Sequence, residues 1–254
     1  MTEAKKIYGL VGYPLGHSFS SGYFNEKFKV EGINAEYVNF EIPSIDDFTR
    51  IFAEGVNIQG LNVTIPYKEK VMALLDDVDA VAGKVGAVNV VKIVRDEAGN
   101  VAKLRGYNSD IVGFTDSIGP LLKPAHEKAL VLGTGGASKA VTYALRQLGI
   151  EPTCVSRNPG IGQLAYSDLD EHCINSHKVI VNTTPLGMHP KVNQCPPIPY
   201  ELLTPEHLCY DLVYNPAVTL FMKNSREYGA VVKNGLDMLI GQAVEAWRIW
   251  NEKP

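Results

Sequence analysis

Short hydrophobic runs alternate along the chain with segments that carry apolar residues at helical spacing. Strands and helices that alternate in this way are typical of parallel sheets whose faces are covered by helices. We therefore expect an α/β fold with mostly parallel sheets. In the first half, the hydrophobic runs predict strands near Ile7 to Val11, Ala35 to Phe40, Gly60 to Val63, Val88 to Ile93 and Lys103 to Gly106.

The segment 96–100 (DEAGN) separates the last two of these strands. A short connection that contains Gly and Asn between two hydrophobic runs predicts a β-hairpin. We therefore expect that edge of the first sheet to be antiparallel.

A second series of strands and helices begins near Ala129, and this places a domain boundary near Asn108 to Gly113. The segment from Asp237 to Trp250 has apolar residues at helical spacing, so it predicts a C-terminal helix that packs back on the first domain. We expect one domain of residues 1–109 plus 237–254 and another of residues 110–236.

The second domain opens with a buried strand, a glycine turn and a helix between Lys128 and Leu148. Glycines in the turn Gly133-Thr134-Gly135-Gly136 let the main chain approach a pyrophosphate, and the first N–H groups of the helix face the anion. Ser138 stands where the third glycine of G-x-G-x-x-G is expected, so an ordinary loop between strand and helix remains an alternative. The pattern predicts a dinucleotide-binding turn in a Rossmann-like domain.

The next predicted strand, Pro152 to Val155, ends in Ser156-Arg157-Asn158. A site that prefers NAD places an acidic residue here to bind the ribose hydroxyls, and this segment has none. The guanidinium of Arg157 suits a 2′-phosphate, and Ser156 can add a neutral hydrogen bond. The segment predicts NADP rather than NAD, and the alternative is a solvated surface arginine.

Composition narrows the class of partner. The chain has 254 residues, 45% of them hydrophobic, and a net charge of −4 without long charge runs. Such a surface has no basic field for nucleic acid or an anionic membrane, so we expect small-molecule partners. No apolar stretch approaches 18 residues, and Cys154, Cys173, Cys195 and Cys209 lack metal-site spacing. We expect a cytoplasmic protein with reduced thiols and no metal.

Polar residues of the first half cluster where predicted strands end, which is where ligands bind in open α/β sheets. Ser18 and Ser20 follow the first strand at the start of a predicted helix, and Lys68 follows the third. Helix capping is an alternative role for the two serines, because Ser is favoured at that position. The alternative for Lys68 is an ordinary solvated side chain.

Eight motifs, in order along the chain, resemble those of the shikimate dehydrogenase family. They are Gly12-x-Pro14-Leu15-x-His17-Ser18-x-Ser20, Asn62-Val63-Thr64-x-Pro66-x-Lys68, Gly86-Ala87-Val88-Asn89, Gly106-Tyr107-Asn108-Ser109-Asp110, Gly133-x-Gly135-Gly136-x-x-x-Ala140, Asn182-Thr183-Thr184-Pro185-Leu186-Gly187-Met188, Asp211-Leu212-Val213-Tyr214-x-Pro216 and Asn234-Gly235-x-x-Met238-Leu239-x-x-Gln242-Ala243. The resemblance implies NADP-dependent, reversible reduction of 3-dehydroshikimate to shikimate in chorismate biosynthesis. It also implies that the first domain binds substrate and the second binds the dinucleotide.

The resemblance assigns roles to individual residues. It makes Lys68 and Asp110 the catalytic pair. The sequence leaves open which of the two carries the transferred proton, and we favour Lys68 as the acid in reduction and the base in oxidation. A positioned donor suits this chemistry, because hydride addition builds negative charge on the ketone oxygen. The implied substrate-binding residues are Ser18, Ser20, Thr64, Asn89, Tyr214 and Gln242. The implied cofactor-binding residues are Gly133, Gly135, Gly136, Ala137, Ser156, Arg157, Thr183, Gly235 and Met238.

This sequence departs from the family pattern in places. Ser109 and Val90 stand where Thr is common, and Asn158-Pro159-Gly160 follows Arg157 where further hydroxyl or basic residues are frequent. Alternatives are an NAD-dependent quinate/shikimate dehydrogenase, a non-catalytic sensor of shikimate-pathway acids, and a methyltransferase that uses the same nucleotide turn. We expect a monomer or a homodimer.

Overall fold

The computed structural model describes residues 4–16, 18–52, 56–97 and 100–252. The chain divides into two compact units. The first consists of Met1–Ser109 together with Ala243–Pro254, and the second consists of Asp110–Gln242. His17 of the first motif lies outside the described residues, as do Ala98 and Gly99 of the predicted hairpin turn.

Within the described residues, six strands form the sheet of the first unit in the order β2-β1-β3-β5-β6-β4. They are β1 (Lys6–Gly12), β2 (Ala35–Glu41), β3 (Ile58–Val63), β4 (Asp77–Val78), β5 (Val90–Arg95) and β6 (Val101–Tyr107). Strand β1 pairs in parallel with β2 and β3. The five strands predicted from hydrophobic runs are therefore confirmed, each with slightly different ends.

The predicted hairpin is also confirmed, because β5 pairs antiparallel with β6 and the Asp96 N–H donates to the Asn100 carbonyl at 3.0 Å. Strand β5 is antiparallel to β3 as well. The prediction of an antiparallel edge is wrong in one respect, because the outermost strand is β4, which pairs in parallel with β6. Two residues are too few for hydrophobic alternation to predict a strand.

Among the described residues, two α-helices lie wholly within the first unit, α1 (Phe19–Val30) and α2 (Ala80–Val85), and 3₁₀ helices span Ile45–Phe52 and Lys70–Leu74. One hydrophobic cluster of this unit contains Val11, Phe48 and Leu61. These side chains come from strands and from the 3₁₀ segment, so the sheet face is covered without a long helix on that side.

The second unit contains a sheet of six strands in the order β12-β11-β10-β7-β8-β9, and every neighbouring pair is parallel. The strands are β7 (Lys128–Leu132), β8 (Glu151–Ser156), β9 (Leu164–Ala165), β10 (Val179–Asn182), β11 (Leu208–Asp211) and β12 (Val231–Lys233). The order confirms the predicted Rossmann-like arrangement.

The remaining helices are α3 (Asp110–Ile118), α4 (Gly136–Gln147), α5 (Glu171–Ser176), α6 (Leu220–Glu227) and α7 (Leu236–Asn251), with 3₁₀ helices at Gly119–Leu121, Tyr166–Asp168 and Tyr200–Leu202. Both faces of the second sheet are buried. Val131 and Val181 pack in a cluster with Phe114 on one face, and Leu130 and Ile180 pack in a different cluster on the other. This accounts for the continuous hydrophobic runs of β7 and β10, because strands buried on both faces need no polar alternation.

The C-terminal part of α7 packs in the first unit, as the sequence predicts. Trp250 lies in a cluster with Tyr8 and Phe24, and its indole N–H donates to the Val91 carbonyl at 3.1 Å. Gly60 makes room for the indole, because a Cβ there would lie 2.4 Å from the Trp250 ring. In the part of the chain that the structure describes, no helix is long and apolar enough to cross a membrane.

Candidate functional site

The first unit places its polar loops at one edge of its sheet. Strands β2 and β3 lie on opposite sides of β1, so the strand order reverses direction at β1. The loops that follow β1 and β3 meet at this point, which is called a topological switch point. The Thr64 N–H donates to the Val11 carbonyl at 2.9 Å and joins the two loops. Because β5 is antiparallel to β3, its start near Asn89 lies at the same edge, where the Val63 N–H donates to the Asn89 carbonyl at 2.9 Å.

Ser18 caps α1. Its Oγ accepts a hydrogen bond from the Ser21 N–H at 3.3 Å, which satisfies one of the otherwise unpaired donors at the helix start. Accepting this bond leaves the hydroxyl proton available for a ligand. The capping role and a ligand-binding role are therefore compatible.

Ser20 belongs to a buried chain of polar groups. Its hydroxyl interacts with that of Tyr37, whose pKa is raised by burial and lowered in part by this interaction. The Tyr37 hydroxyl donates to Asn62 Oδ1 at 2.8 Å, and Asn62 Nδ2 donates to the Asn89 carbonyl at 3.3 Å. The Asn89 side chain then exchanges two bonds with Ser109, from Nδ2 to Oγ at 3.0 Å and from the Ser109 N–H to Oδ1 at 2.7 Å. This chain fixes Ser20 and Asn89 relative to each other.

The loop after β3 carries Thr64 and Lys68. Tyr67, between them, is buried and donates its hydroxyl proton to the Ile42 carbonyl at 2.7 Å. The Lys68 carbonyl accepts a bond from the Val88 N–H at 2.7 Å, which ties the loop to the segment before Asn89. The backbone around Lys68 is thus held on both sides, and its side chain is half-buried.

Asp110 is the first residue of α3 and of the second unit, and it directly follows Ser109. Its side chain is 5% exposed. A carboxylate in the first turn of a helix interacts favourably with the positive end of the helix dipole.

The second unit has its own switch point between β7 and β10, which are neighbours although β8 and β9 intervene in sequence. Gly133, after β7, adopts φ +113°, and a Cβ there would lie 2.8 Å from Thr183 Oγ1. Thr183, after β10, donates its hydroxyl proton to the Leu132 carbonyl at 2.7 Å. Glycine at 133 thus allows both the backbone conformation and the close approach of the two loops.

The start of α4 fits a pyrophosphate. The N-cap residue is Gly135, which has no side chain to satisfy the first N–H groups of the helix, including those of Gly136 and Ala137. A Cβ at Gly135 would meet none of the described atoms within 4 Å. Ser138, buried at the position of the expected third glycine, donates to the Gly135 carbonyl at 2.6 Å. Its hydroxyl therefore stabilises the turn, and the N–H groups remain for an anion.

The end of β8 presents one cation. Arg157 is exposed, and burial raises the pKa of nearby Tyr166 while the Arg157 charge opposes that rise. The Ser156 hydroxyl accepts from the Asn158 N–H and donates to the Asn158 carbonyl, both at 3.2 Å. A phosphate requires donors, so Ser156 must give up its bond to that carbonyl before it can bind one. Arg157 does not have this constraint.

The loops after β11 and β12 carry the remaining candidates. Tyr214 is half-buried, and burial raises the pKa of its hydroxyl. A Cβ at Gly235 would lie 2.1 Å from the Leu212 carbonyl oxygen, so only glycine fits between the two loops. On α7, Met238 packs in the hydrophobic cluster of Phe114, and Gln242 donates to the Leu239 carbonyl at 2.9 Å. Gln242 keeps one amide proton and its carbonyl oxygen for other partners.

Sequence reasoning assigned no role to several buried residues that hold these loops, namely Tyr37 and the motif residues Asn62, Asn182 and Asp211. Each lies within or at the end of a hydrophobic strand run, and a polar residue in such a run is the signal that could have identified them. Among residues 4–16, 18–52, 56–97 and 100–252, no three His, Cys, Asp or Glu side chains are grouped so that they could hold a metal ion.

Comparisons with known proteins agree on one family. A family model for the shikimate dehydrogenase substrate binding domain matches residues 10–91. Shikimate dehydrogenase (NADP(+)) of Carboxydothermus hydrogenoformans is 39% identical over 261 residues, which cover 96% of this chain and 91% of that protein.

Solved structures extend the likeness over the whole fold. The crystal structure of shikimate dehydrogenase from Aquifex aeolicus has a TM-score of 0.85 and 34% sequence identity, covering 100% of this chain and 96% of that one. Shikimate 5-dehydrogenase from Thermus thermophilus, solved in complex with NADP(H) and shikimate, has a TM-score of 0.82 and 29% identity, covering 96% of this chain and 93% of that one. On this evidence the chain belongs to the shikimate dehydrogenase family.

Proposed function

We propose that this chain catalyses the NADP-dependent, reversible reduction of 3-dehydroshikimate to shikimate, a step of chorismate and aromatic amino acid biosynthesis. Family membership supports this activity, since NADP-dependent relatives cover nearly the whole chain. The observation that carries the proposal within the structure is the edge of the first sheet. There, loops bearing Ser18, Thr64 and Lys68 are tied to the segment that holds Asn89.

Lys68 is the proposed proton carrier, and Asp110 is its proposed partner. When bound, the reduced cofactor NADPH would supply the hydride for reduction, and the oxidised cofactor NADP⁺ would accept it in oxidation. The Lys68 ammonium donates a proton to the ketone oxygen as negative charge develops there, and the neutral amine takes the proton back in the reverse direction. Asp110 orients the Lys68 side chain and accepts a hydrogen bond from a substrate hydroxyl.

The substrate is a ring with one carboxylate and several hydroxyls. The proposal assigns the carboxylate to Ser18 and Ser20, because hydroxyl donors at a helix start are favoured partners for an anion. Asn89 and Gln242 have amide groups that can donate to and accept from ring hydroxyls, and Thr64 and Tyr214 add hydroxyl groups of their own.

For the cofactor, the glycine turn and the start of α4 support a pyrophosphate site made of Gly133, Gly135, Gly136 and Ala137. Arg157 is the proposed contact to the 2′-phosphate, with Ser156 as a secondary one. Thr183, Gly235 and Met238 are the proposed neighbours of the nicotinamide end, since they follow β10 and β12 at the same sheet edge.

We further propose that residues 1–109 plus 237–254 form the substrate-binding catalytic domain and residues 110–236 the dinucleotide-binding domain. The compact units support such a division, with the return to the first unit placed at Ala243, inside α7. The proposed partners are shikimate and NADP, with no nucleic acid and no membrane. Light scattering tests the proposed monomer or homodimer.

A cytoplasmic location is also proposed. It is supported by the four cysteines, all of which are free thiols, as is usual in a reducing compartment. Fractionation of the cells that make the protein tests this location.

The activity is tested by following absorbance at the reduced-nicotinamide band with shikimate or quinate and with NADP or NAD. We expect kcat/KM to be highest for shikimate with NADP. Preference for quinate with NAD would support the alternative dehydrogenase. Binding of shikimate without turnover by either cofactor would support a non-catalytic sensor and contradict the proposed activity.

A further inference from the structure

A fully buried carboxylate lies at the end of β11, in the second unit. Asp211 Oδ1 accepts hydrogen bonds from Asn182 Nδ2 at 2.9 Å and from the Val213 N–H at 3.0 Å. Its Oδ2 accepts from Thr219 Oγ1 at 2.5 Å. Burying a charge is costly unless hydrogen bonds replace its water shell, and these three donors replace it in part.

One of the donors connects Asp211 to the loop after β10. Asn182 is the last residue of that strand, and its Oδ1 accepts from the Thr184 N–H at 3.0 Å and from the Thr184 hydroxyl at 2.6 Å. Thr184 Oγ1 in turn accepts from the Leu186 N–H at 3.3 Å. The conformation of the segment that contains Thr183 therefore depends on the orientation of the Asn182 amide, which Asp211 fixes.

The other two donors hold the loop after β11 at both of its ends. Val213 lies immediately before Tyr214, and Thr219 is the N-cap of α6, where its Oγ1 also accepts from the Met222 N–H at 3.3 Å. The Val213 carbonyl accepts from the Gly235 N–H at 3.3 Å, which adds the turn after β12. Asp211 thus bonds directly to the end of β10 and to the loop after β11, and it is connected to the turn after β12 through Val213.

We propose that Asp211 is a positioning residue for hydride transfer, because its carboxylate holds the loops that carry Thr183, Tyr214 and Gly235. The inference rests on the proposed function, in which these loops contact the nicotinamide and the substrate. Asp211 itself is fully buried and contacts neither the nicotinamide nor the substrate in this proposal. Hydride transfer is sensitive to orientation, and a misplacement of about 1 Å can cost about 100-fold in rate.

Hydrogen-bond acceptance, rather than charge, is the property on which this role depends. In Asp211→Asn, the remaining Oδ1 can still accept from Asn182 and Val213, and the new amide can donate to Thr219 Oγ1, which has lone pairs to accept. Asp211→Ala removes every one of these bonds. The two variants therefore separate positioning from the mere presence of a buried charge.

His207 provides a matched control at the opposite end of the same strand. It is fully buried, its Nδ1 accepts from the Thr204 N–H at 3.0 Å, and its Nε2 donates to the Ile174 carbonyl at 3.0 Å. His207→Ala removes a buried side chain with three hydrogen-bond contacts from the position immediately before β11, and it leaves the hydrogen bonds of Asp211 in place. Thr184→Val offers a milder disruption in the half-buried loop after β10, and keeps the inference testable if Asp211→Ala does not fold.

The experiment measures kcat and both KM values for shikimate oxidation with NADP, well below each variant's melting temperature. We expect Asp211→Ala to lower kcat by about 10- to 100-fold and to change either KM by less than about threefold. We expect Thr184→Val to lower kcat by about three- to tenfold. Asp211→Asn should stay within about threefold of the wild-type kcat, and His207→Ala should lose stability with kcat unchanged.

Several outcomes would overturn the inference. They are a wild-type kcat in folded Asp211→Ala or in Thr184→Val, a loss in His207→Ala equal to that in Asp211→Ala, and an Asn variant as impaired as the Ala variant. A wild-type protein that does not oxidise shikimate contradicts the proposed function itself and removes the basis of this inference with it. The two failures are thus distinguished by the wild-type assay alone.

Discussion

The Ser18 hydroxyl can stabilise a helix through its oxygen and bind a ligand through its proton. The oxygen accepts the Ser21 N–H, and the proton is not needed for the cap. Ser20 differs, because its hydroxyl belongs to the buried chain through Tyr37 and Asn62. The two serines therefore stabilise the fold in different ways while they share one proposed ligand.

Replacing either serine should weaken shikimate binding. Ser18→Ala removes the cap and should lower the free energy of unfolding by about 1 kcal/mol. Each variant should also lose about 0.5 to 3 kcal/mol of shikimate binding, with NADP binding unchanged. Isothermal titration with melting curves measures both effects. Asp170→Ala, which removes the N-cap of α5, is the control that should lose stability only. Unaltered shikimate affinity in both serine variants would remove them from the site.

Arg157 tests the cofactor preference. Its guanidinium is the proposed partner of the 2′-phosphate, which NAD lacks, so Arg157→Ala should raise the KM for NADP by about tenfold or more and leave that for NAD nearly unchanged. Arg146→Ala, an exposed arginine near the end of α4, is the control. Equal changes for the two cofactors would show that Arg157 does not bind the phosphate.

Asp211 also predicts a pH dependence of stability. Burial raises its pKa from 3.8 to about 6, and bonds from Thr219, Val213 and Asn182 partly oppose the rise. The folded state therefore binds the Asp211 proton more tightly than the unfolded chain does. The resulting contribution to the free energy of unfolding is complete below about pH 4 and is lost as the pH rises through about 6. Relative to Asp211→Asn, the wild type should lose about 3 kcal/mol of unfolding free energy over that range.

Denaturant titrations at several pH values measure this difference. Asp77→Asn is a control in which the pH dependence of stability has the opposite sign. A hydrogen bond from Lys103 lowers the pKa of Asp77, so the contribution of Asp77 to the free energy of unfolding is lost as the pH falls. A difference between wild type and Asp211→Asn that does not vary with pH would contradict the burial of an ionised Asp211.

At the scale of elements, long hydrophobic runs were sufficient to predict most strands and the C-terminal helix. The two-residue strands β4 and β9 could not be predicted, because they follow from pairing with β6 and β8 and not from local alternation. The contacts of Asp211 depend likewise on how β10 and β11 lie side by side. The candidate site residues could be predicted from the sequence motifs. The hydrogen bonds that fix the loops carrying those residues could not, because they depend on how the strands pair in the folded protein.

The packing of α7 on the first sheet makes an element-scale prediction. A Cβ at Gly60 would lie 2.4 Å from the Trp250 ring, so Gly60→Ala forces the helix or the strand to move and should cost about 1 to 3 kcal/mol of stability. Gly83→Ala, in α2, meets none of the described atoms and should be neutral or slightly stabilising. Chemical denaturation compares the two variants. Equal stabilities would contradict the close packing of Trp250.

At the scale of the whole molecule, each unit uses the same principle. In each sheet the strand order reverses direction at one point, and polar loops follow the two parallel strands that lie on either side of that point. The first unit offers hydroxyls, amides and Lys68, whereas the second offers a glycine turn, an open helix start and Arg157. These two chemistries suit a polyhydroxylated acid and a phosphorylated dinucleotide respectively, which together are what a dehydrogenase of this family requires.

The most direct test of this account is the turnover of Lys68→Ala in shikimate oxidation with NADP. We expect kcat to fall by about 10² to 10⁴ while the KM for shikimate changes far less, because the lost ammonium group transfers the proton in the transition state. Lys70→Ala, an exposed lysine two residues away, should retain the wild-type kcat. A near-normal kcat in folded Lys68→Ala would contradict the central claim that this lysine carries the proton.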